Sequence, residues 1–214
     1  MRGRPPRPAG IYAIADAEAL GTTPLPAAVA AMAGAGVRWI QVRAKRLSGR
    51  DLFLALEGCC RELEGSETAL WVDDRADLAA LFPVAGVHVG QTDLPPAAAR
   101  RVVGDGLWIG LSTHDAAQLA AADADPEVDV VAVGPVFPTV SKERPDPVVG
   151  LDFVRWARAR TARPLVAIGG IGEAEIPAVL EAGADAAVVL GAICRGGGPL
   201  EIAANARRLL AAAG

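Results

Sequence analysis

The sequence is short of aromatic rings, histidine, cysteine and positive charge, and each shortage narrows what the chain does. Phe, Trp and Tyr together make up 4% of the 214 residues, which predicts a core built from Ala, Val, Leu and Ile. The two histidines, His88 and His114, do not stand at metal-pair spacing. The three cysteines are Cys59, Cys60 and Cys194. Two are adjacent and the count is odd, so they form neither a zinc motif nor a disulfide framework and read as reduced thiols of a cytoplasmic protein. No uncharged apolar run approaches the roughly 20 residues of a spanning helix. The opening MRGRPPRPAG lacks the apolar stretch of a signal peptide. Residues 1–9 therefore read as a disordered extension and 10–214 as one soluble domain without a membrane partner. Lys and Arg number 21 against 25 Asp and Glu, a net charge of −4. That excludes a broad basic face for nucleic acid, but not a local cationic pocket for one phosphate.

What is present is a monotonous alternation. Hydrophobic residues reach 52% and charged ones 21%, a globular composition, and the length suits a single α/β barrel. Short runs rich in Val, Ile and Leu occur at 11–15, 39–43, 70–73, 87–89, 107–112, 130–134, 165–169 and 187–191. Most lack a clean apolar/polar alternation, as parallel strands covered on both faces do. Helical stretches fill the gaps at 25–34, 49–64, 75–81, 95–103, 115–122, 151–160, 173–182 and 199–212. Ser48 is placed as an N-cap, and Pro95, Pro96 and Pro199 stand where helix starts tolerate proline. Eight βα units in one chain favour a closed (β/α)₈ TIM barrel over an open doubly wound sheet. One connection is out of scale: GPVFPTVSKERPDPVVG, residues 134–150, is far longer than the usual roughly 2–6 residues and reads as an active-site loop.

In such barrels the chemistry stands at the C-terminal ends of the strands. There the sequence offers Gln41, Arg43 and Lys45, then Asp73 and Asp74, then Gln91 and Asp93. Ser112 and His114 follow, then Thr139, Ser141 and Lys142, and finally Gly169-Gly170 and Gly191. Carboxylates gathered so closely call for a cation between them, and hard oxygen ligands suit Mg²⁺. Arginine and lysine answer phosphate, and glycines let it approach backbone N–H groups. Each residue has a plainer role beside this one. Asp73, Asp74 and Asp93 can serve as helix caps or first-turn acids, and Gly169-Gly170 as a tight turn. Arg43 and Lys45 can be solvated, and His88, facing away from Val87 and Val89, is expected to be a buried structural histidine. His114 is either an acid/base or a cap-region residue.

The motifs QVRAK, VDDRADLA, GVHVGQTDLP, GLSTHD, VAVGPVFPTVSK and AIGGI, in this order, resemble those of the thiamine phosphate synthases over residues 11–193. AIGGI alone is common among phosphate-binding barrels, whereas the set is specific. The resemblance implies a transferase that joins a hydroxymethylpyrimidine diphosphate to a thiazole phosphate and releases pyrophosphate by a dissociative route. It implies that Asp74 and Asp93 hold Mg²⁺, and that Arg43, Lys45 and Lys142 bind the diphosphate. Gln41 would lie near the pyrimidine, with Val42 and Ala44 beside it in the same segment and Ser112 in the same pocket. Thr139, Val140 and Ser141 would position the thiazole, while Gly170, Leu190 and Gly191 cup its phosphate. The implied partners are small molecules, with a homo-oligomer left open.

Two positions depart from the family pattern. Asp73 stands where Asn is usual, and a carboxylate there either joins the metal or weakens diphosphate binding. Gly191 stands where Ser is common, which removes a hydroxyl but not a backbone contact. Other readings are a thiazole tautomerase using His114 as its acid/base, a phosphate-binding barrel without turnover, and a different phosphate-handling barrel enzyme. Asp93 favours the synthase over the tautomerase.

Overall fold

The computed structural model describes residues 7–139 and 146–214. In chain order the elements are β1 (Gly10–Asp16), α1 (Ala17–Leu20), α2 (Leu25–Gly34), β2 (Trp39–Arg43), α3 (Gly49–Glu62) and β3 (Ala69–Asp73). Next come α4 (Ala76–Ala79), β4 (Gly86–Val89), α5 (Pro96–Val103), β5 (Trp108–Thr113), α6 (Ala116–Ala124) and β6 (Val130–Val133). The last are α7 (Gly150–Arg158), β7 (Leu165–Ile168), α8 (Ile176–Glu181), β8 (Ala186–Val189), α9 (Gly191–Cys194) and α10 (Pro199–Ala212). The strands are parallel and close in sequence order, with β1 paired to β8. All eight expected strands are present, and 39–43 is β2 itself.

The local chemistry explains most boundaries. The Ser48 hydroxyl accepts from Asp51 N at 3.1 Å and starts α3, as expected. Asp115 likewise accepts from Gln118 N at 2.8 Å and starts α6. The four-residue helices α1 and α9 were not anticipated, because one turn is too short to show a period. Residues 1–6 of the expected disordered start lie outside the described residues, while Pro8 is buried and Gly10 N already bonds Asp185 O at 3.0 Å.

The barrel separates two apolar compartments. Between strands and helices the packing is aliphatic, as expected, with residues such as Ile40, Val87, Ile109 and Leu119. The barrel interior corrects that expectation, because Tyr12, Trp39, Trp71 and Trp108 sit there together. Trp39 and Trp71 stack with ring centroids 4.9 Å apart, and Tyr12 meets Trp39 edge-on at 5.4 Å. The reason is volume. An eight-stranded barrel has a fixed interior to fill, and the small Ala132 of β6 and Ala186 of β8 leave space that bulky rings occupy.

The floor of the barrel is richer in charge than the sequence suggests, but its charges satisfy one another. Arg100 Nη2 bonds Asp129 at 2.7 Å, and the same Asp129 oxygen accepts from Ile109 N at 2.9 Å. The device repeats where Arg158 Nη1 bonds Asp185 at 3.1 Å and that Asp185 oxygen accepts from Leu165 N at 2.7 Å. Reactive groups left over for a ligand gather at the other end.

Candidate active site

Alternation along each strand decides which side chains look into the barrel mouth. On β1 the inward series is Tyr12, Ile14 and Asp16; on β2 it is Trp39, Gln41 and Arg43; on β3 it is Ala69, Trp71 and Asp73. Asp16 pairs with Arg43 in the β1–β2 register. Accordingly Arg43 Nη1 donates to Asp16 Oδ2 and lies 3.6 Å from Glu18, while its Nε lies 3.5 Å from Asp73. Lys45 Nζ donates to Asp74 and lies 3.4 Å from Asp73. Asp93 is close enough to act electrostatically on both Asp74 and Lys45.

Two cations thus meet five carboxylates, Asp16, Glu18, Asp73, Asp74 and Asp93. Burial and crowding both show in the acids. Burial first, then Asp74, pushes the Asp73 carboxyl up to about 7, against Lys45 and Arg43. Burial also raises Asp74, and its contact with Asp93 adds to the rise while Lys45 opposes it. Burial works against the Lys45 ammonium, but Asp73 and Asp74 outweigh it and hold the charge. Among the described residues no three His, Cys, Asp or Glu side chains form a ready metal cage. A neighbouring carboxylate pair with an unbalanced charge suits a hard divalent ion that completes its shell with phosphate oxygens and water, as Mg²⁺ does.

The plainer roles of these acids do not describe them. Arg75, not Asp73 or Asp74, stands at the N-cap of α4, and Asp74 adopts φ 58°, a left-handed conformation that Asp tolerates better than most residues. Its backbone is fixed there by Asp74 N donating to His88 O at 2.8 Å. Asp93 leaves α5 uncapped and instead accepts from Gly90 N at 2.8 Å. Asp73 is within ion-pair reach of both Arg43 and Lys45 and would compete with any anionic ligand for these two cations. Asp73→Asn is therefore expected to lower the KM for a diphosphate substrate about three- to tenfold, with kcat little changed. Initial-rate kinetics check this, and a KM that stays the same or rises overturns it.

Below the charged rim, Gln41 is buried and its Nε2 donates to the Tyr12 hydroxyl at 3.2 Å. Val42 and Ala44 point the other way, into the aliphatic layer, so only their backbone faces the mouth. Ser112 Oγ meets His88 Nε2 at 2.9 Å, and Gln91 Nε2 donates to Ser112 O at 2.6 Å. His88 is thus a buried, hydrogen-bonded histidine, as expected. Asp115 is the N-cap of α6, and His114 beside it stands in the cap region, its backbone N donating to Gln118 Oε1 at 2.8 Å. The His114 Nδ1 bonds Gly134 O at 2.6 Å and its Nε2 lies 3.5 Å from Asp146, so one ring joins both stems of the long loop.

That loop leaves β6 along the end of β7. Val136 N donates to Ile168 O at 2.9 Å and Phe137 N to Gly169 O at 3.0 Å. Gly170, at φ 65°, lies so close that an added Cβ would stand 2.4 Å from Pro138 O. Gly191 is the opposite case, because an added Cβ there meets nothing within 4 Å. Leu190 stands at the N-cap of α9. Thr139 is half-buried, whereas Val140, Ser141 and Lys142 lie outside the described residues. Two site residues escaped the sequence reading, Asp16 and Glu18, because the apolar run was ended at residue 15. An Asp closing the first strand, in step with the acids closing the third, was the available signal.

A family model described as thiamine monophosphate synthase matches residues 11–193. A thiamine-phosphate synthase of Koribacter versatilis is 45% identical over 184 residues, covering 84% of this chain and 86% of that protein. One of Acidothermus cellulolyticus is 44% identical over 191 residues, covering 88% and 90%. The solved structure of a thiamine phosphate pyrophosphorylase from Pyrococcus furiosus superposes with a TM-score of 0.82 at 26% identity, covering 95% of this chain and 94% of that one.

Proposed function

The chain belongs to the thiamine monophosphate synthase family and is a transferase of that kind, and we propose from this premise how its own residues carry the reaction. The substrates are a hydroxymethylpyrimidine diphosphate and a thiazole phosphate. The bond between the pyrimidine methylene carbon and the diphosphate oxygen breaks, and its electron pair leaves on pyrophosphate. The thiazole nitrogen then gives its lone pair to the methylene carbon, forming the C–N bond. Charge grows on the leaving group as the first bond breaks, so cations placed there stabilise the transition state more than the bound substrate.

The observation that carries this reading is the cluster of Arg43, Lys45, Asp74 and Asp93 at one barrel mouth. Arg43 and Lys45, with Lys142, hold the diphosphate. Asp74 and Asp93 hold Mg²⁺, which when bound supplies positive charge against the departing pyrophosphate. Gln41, fixed by Tyr12, orients the pyrimidine, with the Val42 and Ala44 backbone beside it. Ser112, fixed by His88, lines the same pocket. Beneath them the buried Tyr12, Trp39 and Trp71 keep water from reaching a pyrimidine cation from below. Thr139, Val140 and Ser141 position the thiazole, and the backbone of Gly170, Leu190 and Gly191 receives its phosphate at the start of α9.

The setting proposed is the cytoplasm, with which the buried thiols of Cys59 and Cys194 agree. No helix among the described residues is long and apolar enough to cross a membrane. The tautomerase alternative would use His114 Nε2 as its acid/base, Nδ1 being held by Gly134 O; what favours the synthase is the acid at Asp93 beside Asp74 and Lys45. Pyrophosphate release from purified protein, both substrates and Mg²⁺ tests the proposal. Release is expected to vanish in EDTA and return with added Mg²⁺. Release that survives EDTA removes the metal role, and none under either condition removes the reaction.

A further inference from the structure

Asp16 is the most buried carboxylate of the site, at 3% exposure, and it splits its two oxygens between two tasks. Oδ1 accepts from Ala19 N at 2.8 Å and caps α1, while Oδ2 takes the Arg43 Nη1 hydrogen bond. Glu18, on the turn so capped, reaches Arg43 Nη1 at 3.6 Å and accepts from Arg46 N at 3.3 Å. The first βα segment is therefore a bracket around the exit of β2. An arginine side chain is long and rotamer-rich, and unheld it loses entropy on meeting a ligand. Here Nη1 faces Asp16 and Glu18 and Nε faces Asp73, which leaves Nη2 as the guanidinium nitrogen without a protein acceptor among the described residues.

We infer that Asp16 is a positioning residue for the diphosphate subsite: its carboxylate fixes the Arg43 guanidinium by Nη1 and so presents Nη2 to the phosphate oxygens. This rests on the proposed role of Arg43. It adds a residue on β1 that touches no substrate and acts through a pre-oriented cation.

The competing account is that Asp16 merely caps α1, and two substitutions separate them. Asn and Ser are both good N-caps but carry no negative charge. Asp16→Asn and Asp16→Ser are therefore expected to keep the α1 cap and the wild-type circular dichroism, with the melting temperature lowered only by the lost ion pair to Arg43. Each should weaken binding of inorganic pyrophosphate with Mg²⁺, read by calorimetry, about tenfold. The KM for the pyrimidine diphosphate should rise alongside, and the KM for the thiazole phosphate should not. Arg43→Ala is the reference. In its background Asp16→Asn is expected to cause no further loss, because the group it positions is gone. If Asp16→Asn weakens pyrophosphate equally with and without Arg43, or has no effect beside a normal Arg43→Ala defect, Asp16 is structural and the inference alone fails. If Arg43→Ala itself leaves pyrophosphate affinity unchanged, the role of Arg43 fails and the inference with it.

Discussion

Asp74→Asn and Asp93→Asn are each expected to reduce pyrophosphate release by about 100-fold or more at physiological Mg²⁺, several kcal/mol being what a bound metal contributes to transition-state charge. The argument is electrostatic. Asp93 is near enough to raise the Asp74 carboxyl, and Lys45 is the cation that opposes the rise. Removing one charge leaves a divalent ion a single protein carboxylate. Asparagine is the informative replacement at both places. At Asp74 it tolerates φ 58°, where alanine adds backbone strain of the order of 1 kcal/mol. At Asp93 its side-chain oxygen can still accept from Gly90 N. Melting temperatures should therefore stay near wild type, with the loss appearing in the Mg²⁺ dependence of the rate. Titrating Mg²⁺ at fixed substrates measures it, and high Mg²⁺ should recover part of the activity. A variant within twofold of wild type at low Mg²⁺ would show that its carboxylate is not a metal ligand.

Gly170→Ala is expected to destabilise the barrel by about 2–4 kcal/mol and to raise the KM for the thiazole phosphate at least tenfold. Two costs add at this residue. Its φ of 65° is one that L side chains rarely adopt, and the new methyl would press on Pro138 O at 2.4 Å and Phe137 Cβ at 2.8 Å. Backbone cannot swing aside as a flexible side chain does, so the long loop must lift from the end of β7. Phe137 N–H···O Gly169 is among the first bonds at risk. Gly191→Ala supplies the contrast, since its added methyl meets open space and the melting temperature should not move. Thermal unfolding of both variants beside wild type, followed by kinetics for each substrate, decides the matter. Equal stability of the two would mean that the loop yields without cost.

Much of this molecule was legible before any coordinates, for a simple reason. Parallel strands buried on both faces are apolar nearly throughout, so β6, β7 and β8 stand out against Ala-rich amphipathic helices. Eight repeats leave few architectures open, and the barrel then assigns every strand end to one face. That rule alone gathered Arg43, Lys45, Asp73, Asp74, Asp93 and Ser112 before their distances were known.

What the tertiary structure decided is which groups meet and at what cost. Composition put aliphatic residues in the core, yet closure sent Tyr12, Trp39, Trp71 and Trp108 to the interior, because a ring of strands leaves a volume that small side chains cannot fill. Asp16 lies just past the first apolar run, and the β1–β2 register sets it beside Arg43. His114 lies just past β5 in the chain, yet its ring ties Gly134 to Asp146 across the long loop. Gly170 and Gly191 are the same letter, but one is walled in by Pro138 and the other is open. By itself the sequence determined the period of the elements and the chemistry at the strand ends, both properties of neighbours along the chain. Register, closure and close approach join residues far apart in sequence, and only the folded barrel fixes those.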